Sequence, residues 1–320
     1  MQRREFITLL GGAAAVWPLV ARAQQLKVPR VGILALTNAD AQSYKKELSE
    51  GLRDLGYFEG QNFAFEIRSA NGNADLLPDL AADLVRLKVD IIAAIFTPCA
   101  LVAKHATREI PVVIIAGDPV GTGLVASLAR PGGNITGLSN MGADTGGKSV
   151  ELFRDIMPTL RRVAVLTNPN PFGKSILEQV QLSGRTGGIE IAPVVTVQVP
   201  DEVDAAFEVM AEQKADAVVV QSIFFSKIIA DVAIKHRLPS AAVQRSYADA
   251  GGLMSYGADI PHMFRRTAVF VQKFLQGAKP AELPVEQPTK FELVINLKTA
   301  KAIGLTIPET FLRRVDVLIE

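Results

Sequence analysis

The sequence predicts an α/β protein built as two doubly wound, parallel-sheet lobes, and three observations carry that prediction. From Val28 onward, short apolar runs alternate with amphipathic helical stretches, the pattern that builds a parallel sheet with helices on both faces. The pattern then recurs. Arg30-Val31-Gly32-Ile33-Leu34 is answered by Arg162-Val163-Ala164-Val165-Leu166, Val89-Asp90-Ile91-Ile92 by Ala215-Asp216-Ala217-Val218, and Ile110-Pro111 by Leu238-Pro239. Finally, 320 residues suffice for two domains, each of roughly 100–200 residues with its own core.

The N-terminus reads as a targeting segment. Arg3-Arg4 precede an uncharged apolar run from Phe6 to Val20, and Ala21-Arg22-Ala23 supplies a small-x-small cleavage site. This predicts an export signal over residues 1–23, a mature chain starting at Gln24 and a periplasmic location. The apolar run is short for a membrane span, and Arg-Arg-Glu-Phe-Ile resembles the twin-arginine signal. Cys99 is the sole cysteine, so no internal disulfide is expected, and Gln24 stands where a lipid anchor would need a cysteine. A net charge of only +1 argues against the basic face of a nucleic-acid binder.

In the first half, Arg30 to Leu36 reads as a buried strand, and Leu48, Leu52 and Leu55 share a helical face that ends at Gly56. Asn62 to Arg68 alternates as a strand, and Asp75 to Lys88 carries a leucine stripe. Val89 to Ile95 is a second buried strand, ending at Thr97-Pro98, and a helix runs on to Arg108. Pro111 to Ala116 is a strand closed by Asp118-Pro119. Beyond the repeat, Gly251 to Gly257 reads as a strand and Asp259 to Leu275 as a helix. Leu283 to Asn296 is extended, with Pro284 and Pro288 marking an edge or connection, and Leu297 to Ile303 is a helix stopped by Gly304. The lobes are expected at 24–140 plus 252–283 and at 141–251 plus 284–320. Hinges are then expected near Leu138–Gly142, Gly251-Gly252 and Leu283–Pro288.

Two nucleotide-binding spellings stand near the middle. Gly142 to Ser149, GADTGGKS, fits the phosphate-loop pattern, and Gly121 to Ala126 fits G-x-G-x-x-A. A phosphate loop also needs a later strand ending in an acid to hold magnesium, yet the later buried strands end at Asn168, Ser222 and Gln244. The dinucleotide glycines should follow the first strand of their unit, and here they follow the fourth. Lys148-Ser149 therefore reads as the first turn of a helix. No G-x-S-x-G or H-E-x-x-H occurs, and His105, His236 and His262 are far apart. No cofactor, metal or catalytic set is expected. A binding protein is the first reading; an exported α/β enzyme with or without a cofactor, or the receptor subunit of a sensor, are the alternatives.

Longer words carry a resemblance. Gly117 to Ser139 (GDPVGTGLVASLARPGGNITGLS), Ala250 to Gly257 (AGGLMSYG) and Leu283 to Asn296 (LPVEQPTKFELVIN) are similar to signatures of one ABC-transporter substrate-binding family. That family includes tryptophan/tyrosine uptake binding proteins. The resemblance spans essentially the whole mature chain. It implies a type I periplasmic binding protein-like fold of two lobes and three crossovers, with a ligand in the cleft and delivery to an ABC permease and ATPase. It implies too that Gly147-Lys148 and Glu151-Leu152 open the second lobe, so the phosphate-loop spelling is accidental. Where many members carry Gly-Asp-Pro before a paired Phe, this chain has Gln221-Ser222-Ile223 before Phe224-Phe225. The chain is expected to act as a monomer on an amino acid, aromatic acid or similar carboxylate.

Ligands of open α/β sheets bind at strand carboxyl ends, beside helix N-termini that favour anions. Those ends carry Thr37, Asn38, Thr97, Pro98 and Asp118 in the first lobe, and Asn168, Ser222 and Ser246 in the second. Thr97 and the amides after Pro98 would take a carboxylate, Asp118 a cation or hydroxyl. Phe224, Tyr247 and Tyr256 would supply an apolar wall. The competing roles are helix capping for the Thr, Ser and Asn residues, a turn for Asp118, and lobe core for the aromatics.

Overall fold

Runs of Val, Ile and Ala form a five-stranded first sheet, in a computed structural model that describes residues 28–221 and 226–320. The expected signal over residues 1–23 lies outside them. β1 (Arg30–Ala35), β2 (Ala64–Ser69), β3 (Ile91–Ile95), β4 (Val112–Ala116) and β5 (Ile135–Ser139) lie in the order β2-β1-β3-β4-β5. Every pair is parallel. α1 (Asn38–Asp54) covers one face, and α2 (Leu77–Arg86) and α3 (Phe96–Ala106) cover the other. Burial on both faces explains why β3 and β4 read as unbroken apolar runs.

The second sheet has seven strands: β6 (Arg162–Thr167), β7 (Glu190–Thr196), β8 (Ala217–Val220), β9 (Ser240–Ala242), β10 (Met254–Ala258), β11 (Phe291–Asn296) and β12 (Val317–Ile319). Their order is β12-β11-β10-β9-β8-β6-β7, with β10–β11 antiparallel and the other pairs parallel. α4 (Gly142–Ile156), α5 (Pro171–Gly187) and α10 (Leu297–Ile303) pack on one face, α6 (Val203–Glu212) and α7 (Ser226–Lys235) on the other. The short helices α8 (Arg245–Asp249) and α11 (Glu309–Leu312) complete this lobe. α9 (Ile260–Leu275) returns to the first lobe, where Phe264 and Phe270 bury beside Tyr44 and Leu48 of α1.

The recurring sequence words have one structural job. Asp90 accepts from the Arg30 amide at 2.8 Å, tying β3 to β1, and Asp216 accepts from the Arg162 amide at 2.9 Å, tying β8 to β6. The Pro111 carbonyl then accepts from Ile92 at 2.9 Å and that of Pro239 from Val218 at 2.8 Å. Both arginines also donate across the sheet base, to Leu87 and Gln213 carbonyls respectively.

Three connections join the lobes; one runs elsewhere than the sequence indicated, and the last lies within the expected Leu283–Pro288 hinge but a few residues past the expected lobe boundary. β10 pairs with β9 and β11, so residues 254–258 belong to the second sheet and the chain crosses at Asp259, not at Gly251-Gly252. Gly252 lies against Tyr247 inside the second lobe, where an added Cβ would collide with the ring. The last return comes after Glu286 and not at Pro284. Val285 buries in the first lobe's core, while Ser139 donates to the Glu286 carbonyl at 2.8 Å and Glu286 to that of Gly137 at 2.9 Å. The first connection lies between β5 and α4.

GADTGGKS is helical from its first residue, so Gly142 and Ala143 open α4 instead of forming a turn. Its glycines serve packing: a Cβ on Gly147 would stand 2.9 Å from the Gln179 carbonyl oxygen of α5. Lys148 pairs with Glu151 one turn along. No helix among the described residues is long and apolar enough to cross a membrane.

The cleft between the lobes

Helix starts and strand ends from both lobes face one another across a cleft, and two cavities open there. The first, about 580 Å³, lies between α1, α3 and α9 of lobe one and α8, β10 and β11 of lobe two. Phe96, Ile260 and Phe264 give it an apolar side; Asp40, Arg245, Asp249, Asp259 and Glu292 give it a charged one. The second, about 560 Å³, is lined by Asn73, Asp75 and Pro98 of lobe one and by Asn168, Asn170 and Gln198 of lobe two. Between the lobes, Phe172 in the first turn of α5 packs where Gly117 has no side chain.

The sequence-selected residues divide. Pro98 and Asn168 line the second cavity and Ser246 lines the first. Asn168 is fixed by a donor bond to the Val197 carbonyl at 2.6 Å, while its own amide donates to Gln221 Oε1 at 2.9 Å. Thr97 is 2 % exposed and accepts from the Gly117 amide at 3.2 Å, so its hydroxyl braces the ends of β3 and β4. Thr37 caps α1: its Oγ1 accepts from the Asp40 amide at 3.1 Å and donates to Asp40 Oδ2 at 2.6 Å. Asn38 is exposed beside it and lines neither cavity. Asp118 accepts from the Gly121 amide at 2.8 Å, the turn geometry that competed with a ligand role. Neither cavity includes it.

Two aromatics are corrected. Tyr247 is fully buried in the second lobe's core, its hydroxyl donating to Ser240 Oγ at 2.8 Å. Tyr256 stacks on Phe291, centroids 5.8 Å apart, and is not among the cavity-lining residues. Ser222 and Phe224 lie outside the described residues.

Sequence reasoning missed Asp40, Phe96, Arg245 and Glu292. Burial pushes the Asp40 carboxyl above its ordinary value, partly offset by the Thr37 hydrogen bond. Arg245 donates from one nitrogen to both Glu292 oxygens, at 3.0 and 3.2 Å, and stands 3.5 Å from Asp249. Phe96 holds φ +65°, a left-handed conformation costly for a bulky residue. Its ring tilts against Phe264 at 6.3 Å between centroids. No signal short of tertiary structure marks it, because its neighbours read as strand and helix on either side. Among the described residues no group of three or more His, Cys, Asp or Glu is placed to hold a metal.

Two α/β lobes joined by three strands and facing each other over a cleft define the class of the two-lobed periplasmic binding proteins. More narrowly, the chain belongs to the ABC transporter substrate binding protein family, whose model matches residues 30–318. A tyrosine-binding protein of Clostridioides difficile (strain R20291) is 27 % identical over 289 residues, covering 87 % of this chain and 82 % of that protein. A conserved domain protein of Vibrio cholerae O1 biovar El Tor has TM-score 0.85 at 30 % identity, over 91 % of this chain and 100 % of that one. The ABC domain from Streptococcus pneumoniae in complex with L-Trp has TM-score 0.81 at 26 % identity, over 90 % and 100 % of the two chains. The expected family and its solute-binding role are thereby borne out.

Proposed function

We propose that this chain is exported by its first 23 residues and works in the periplasm as a monomeric receptor. It would capture a small amine-bearing organic solute, of the amino-acid kind, between its lobes and deliver it to a membrane permease and ATPase. The observation that carries this reading is the first cavity, to which both lobes contribute charged residues and lobe one an apolar wall. The relatives described as tyrosine-binding and as an L-Trp complex support an amine-bearing ligand. Ser246 is our candidate contact in the first cavity, Pro98 and Asn168 are candidates in the second, and Ser222 and Phe224 are candidates from the segment after β8, while Thr97 braces the strand ends behind them. Thr37 and Asp118 frame the cleft through the turns they cap, and Asn38 stands exposed beside Thr37. Closure would be a hinge motion about the three connections, stabilised by the ligand's preference for the closed form. No catalysis is proposed.

Native mass spectrometry of gently purified protein, followed by a thermal-shift screen over amino acids, amines and aromatic acids, tests the reading. A retained small molecule and a ligand-dependent rise in melting temperature are expected. Steady chemical conversion of the retained molecule, or a bound nucleotide, would overturn it.

A further inference from the structure

The first cavity has a charge imbalance that says more about its ligand. Asp40, Asp249, Asp259 and Glu292 bound it, and Arg245 is its only cation among the described residues. That cation is already engaged with Glu292 and Asp249. Asp259 caps α9, accepting from the His262 amide at 3.0 Å. Asp40 accepts from the neutral Thr37 hydroxyl, and burial disfavours its charged form. Residues 222–225, Ser-Ile-Phe-Phe, bring no charge to the balance. The carboxylates alone would define nothing. They become a recognition surface because they edge a cavity of about 580 Å³ whose other side is Phe96, Ile260 and Phe264. Among the described residues they are not grouped to hold a metal ion, and the apolar side suits the body of an organic cation.

We propose that the ligand of this cavity is a net cation, an ammonium on an apolar body, with its charge held at Asp40 and its body against Phe96 and Phe264. A carboxylate on that ligand is not required and is disfavoured. A carboxylate placed here would meet an excess of like charge and, among the described residues, no uncommitted cationic side chain, which is how a site rejects a competitor. This rests on the cleft being the ligand site, and it narrows the class from amino acids at large to amines.

Isothermal titration of the full chain with three matched pairs tests it: tyramine and tryptamine, L-tyrosine and L-tryptophan, 3-(4-hydroxyphenyl)propionate and indole-3-propionate. The amines are expected to bind at least as tightly as the amino acids, and the acids about tenfold or more weaker, the scale of one charge-assisted contact. Asp40→Asn should weaken amine binding about tenfold while leaving the ligand-free melting temperature no lower. Glu292→Gln, which removes a second carboxylate, should weaken the amines in the same direction. Amino acids binding while the amines fail would overturn the proposal and leave the solute-binding reading intact. So would acids binding best, or amine affinity unchanged in Asp40→Asn. Silence from all six probes would overturn it too, and native mass spectrometry with no retained molecule would then remove the solute-binding reading as well.

Discussion

Replacing Gly117 by Ala should weaken ligand binding more than it weakens the fold. Gly117 follows β4 in the first lobe, and a Cβ there would run into the Phe172 ring of α5 in the second. Phe172 is 4 % exposed and packs in its own lobe's core, so the ring cannot simply swing away. Overpacking of this kind costs about 1–3 kcal/mol. The three atoms nearest that methyl all belong to Phe172 of the other lobe, so the strain should fall mainly on the arrangement in which the lobes touch. If closure requires that contact, the dissociation constant should rise about 5- to 150-fold. The ligand-free melting temperature should meanwhile move by less than the roughly 2–4 °C that each kcal/mol would produce in a chain of this size. Titration calorimetry paired with thermal melts measures both. Unchanged affinity with a lowered melting temperature would refute the reasoning, because the contact would then belong to the fold in every state.

Other changes separate the roles assigned above. Asp40→Asn should raise the ligand-free melting temperature at neutral pH, since burial holds this carboxyl above its ordinary value of 3.8 and ionisation there opposes folding. The sign follows from the raised folded value: the wild-type loses stability as pH rises through it, so the advantage of Asn should vanish below about pH 3.8 and be full above the raised value. Arg245, Asp249, Asp259 and Glu292 share that cavity and set the charge Asp40 feels, so parallel melts of Glu292→Gln control for them. Gly147→Ala should destabilise by about 1–3 kcal/mol in chemical denaturation by forcing α4 from α5, whereas Lys148→Ala should change stability little and uncover no nucleotide binding. Tyr247→Phe should lower stability by about 1 kcal/mol, from its bond to Ser240, and leave ligand affinity unchanged. A loss of affinity in calorimetry would return Tyr247 to the cleft.

Strands buried on both faces were legible because their composition is continuous, and Leu297 to Gly304 was legible because a glycine stop follows a short helix. β7 was not, since it is a half-exposed edge strand whose short apolar run is interrupted by Pro193 and shows no clean alternation. The cleft was legible as a set of strand ends and poorly legible as side chains. Thr37 and Asp118 fill local hydrogen-bonding roles that a sequence displays as readily as a ligand role. Asp40 and Arg245 acquire meaning only when α1 and α8 border one cavity from opposite lobes, about two hundred positions apart in the chain. Gly251-Gly252 looked like a hinge for want of knowledge that Tyr247 fills the space beside it.

The Arg, Asp and Pro contacts that repeat in the two sheets all sit at the amino ends of the strands, opposite the cleft. Each lobe therefore keeps its rivets at one pole and its recognition loops at the other. Substitutions in the loops can alter what the protein selects while the anchoring pole still sets the strand register. A lineage could explore new solutes on this frame without first having to rescue its stability.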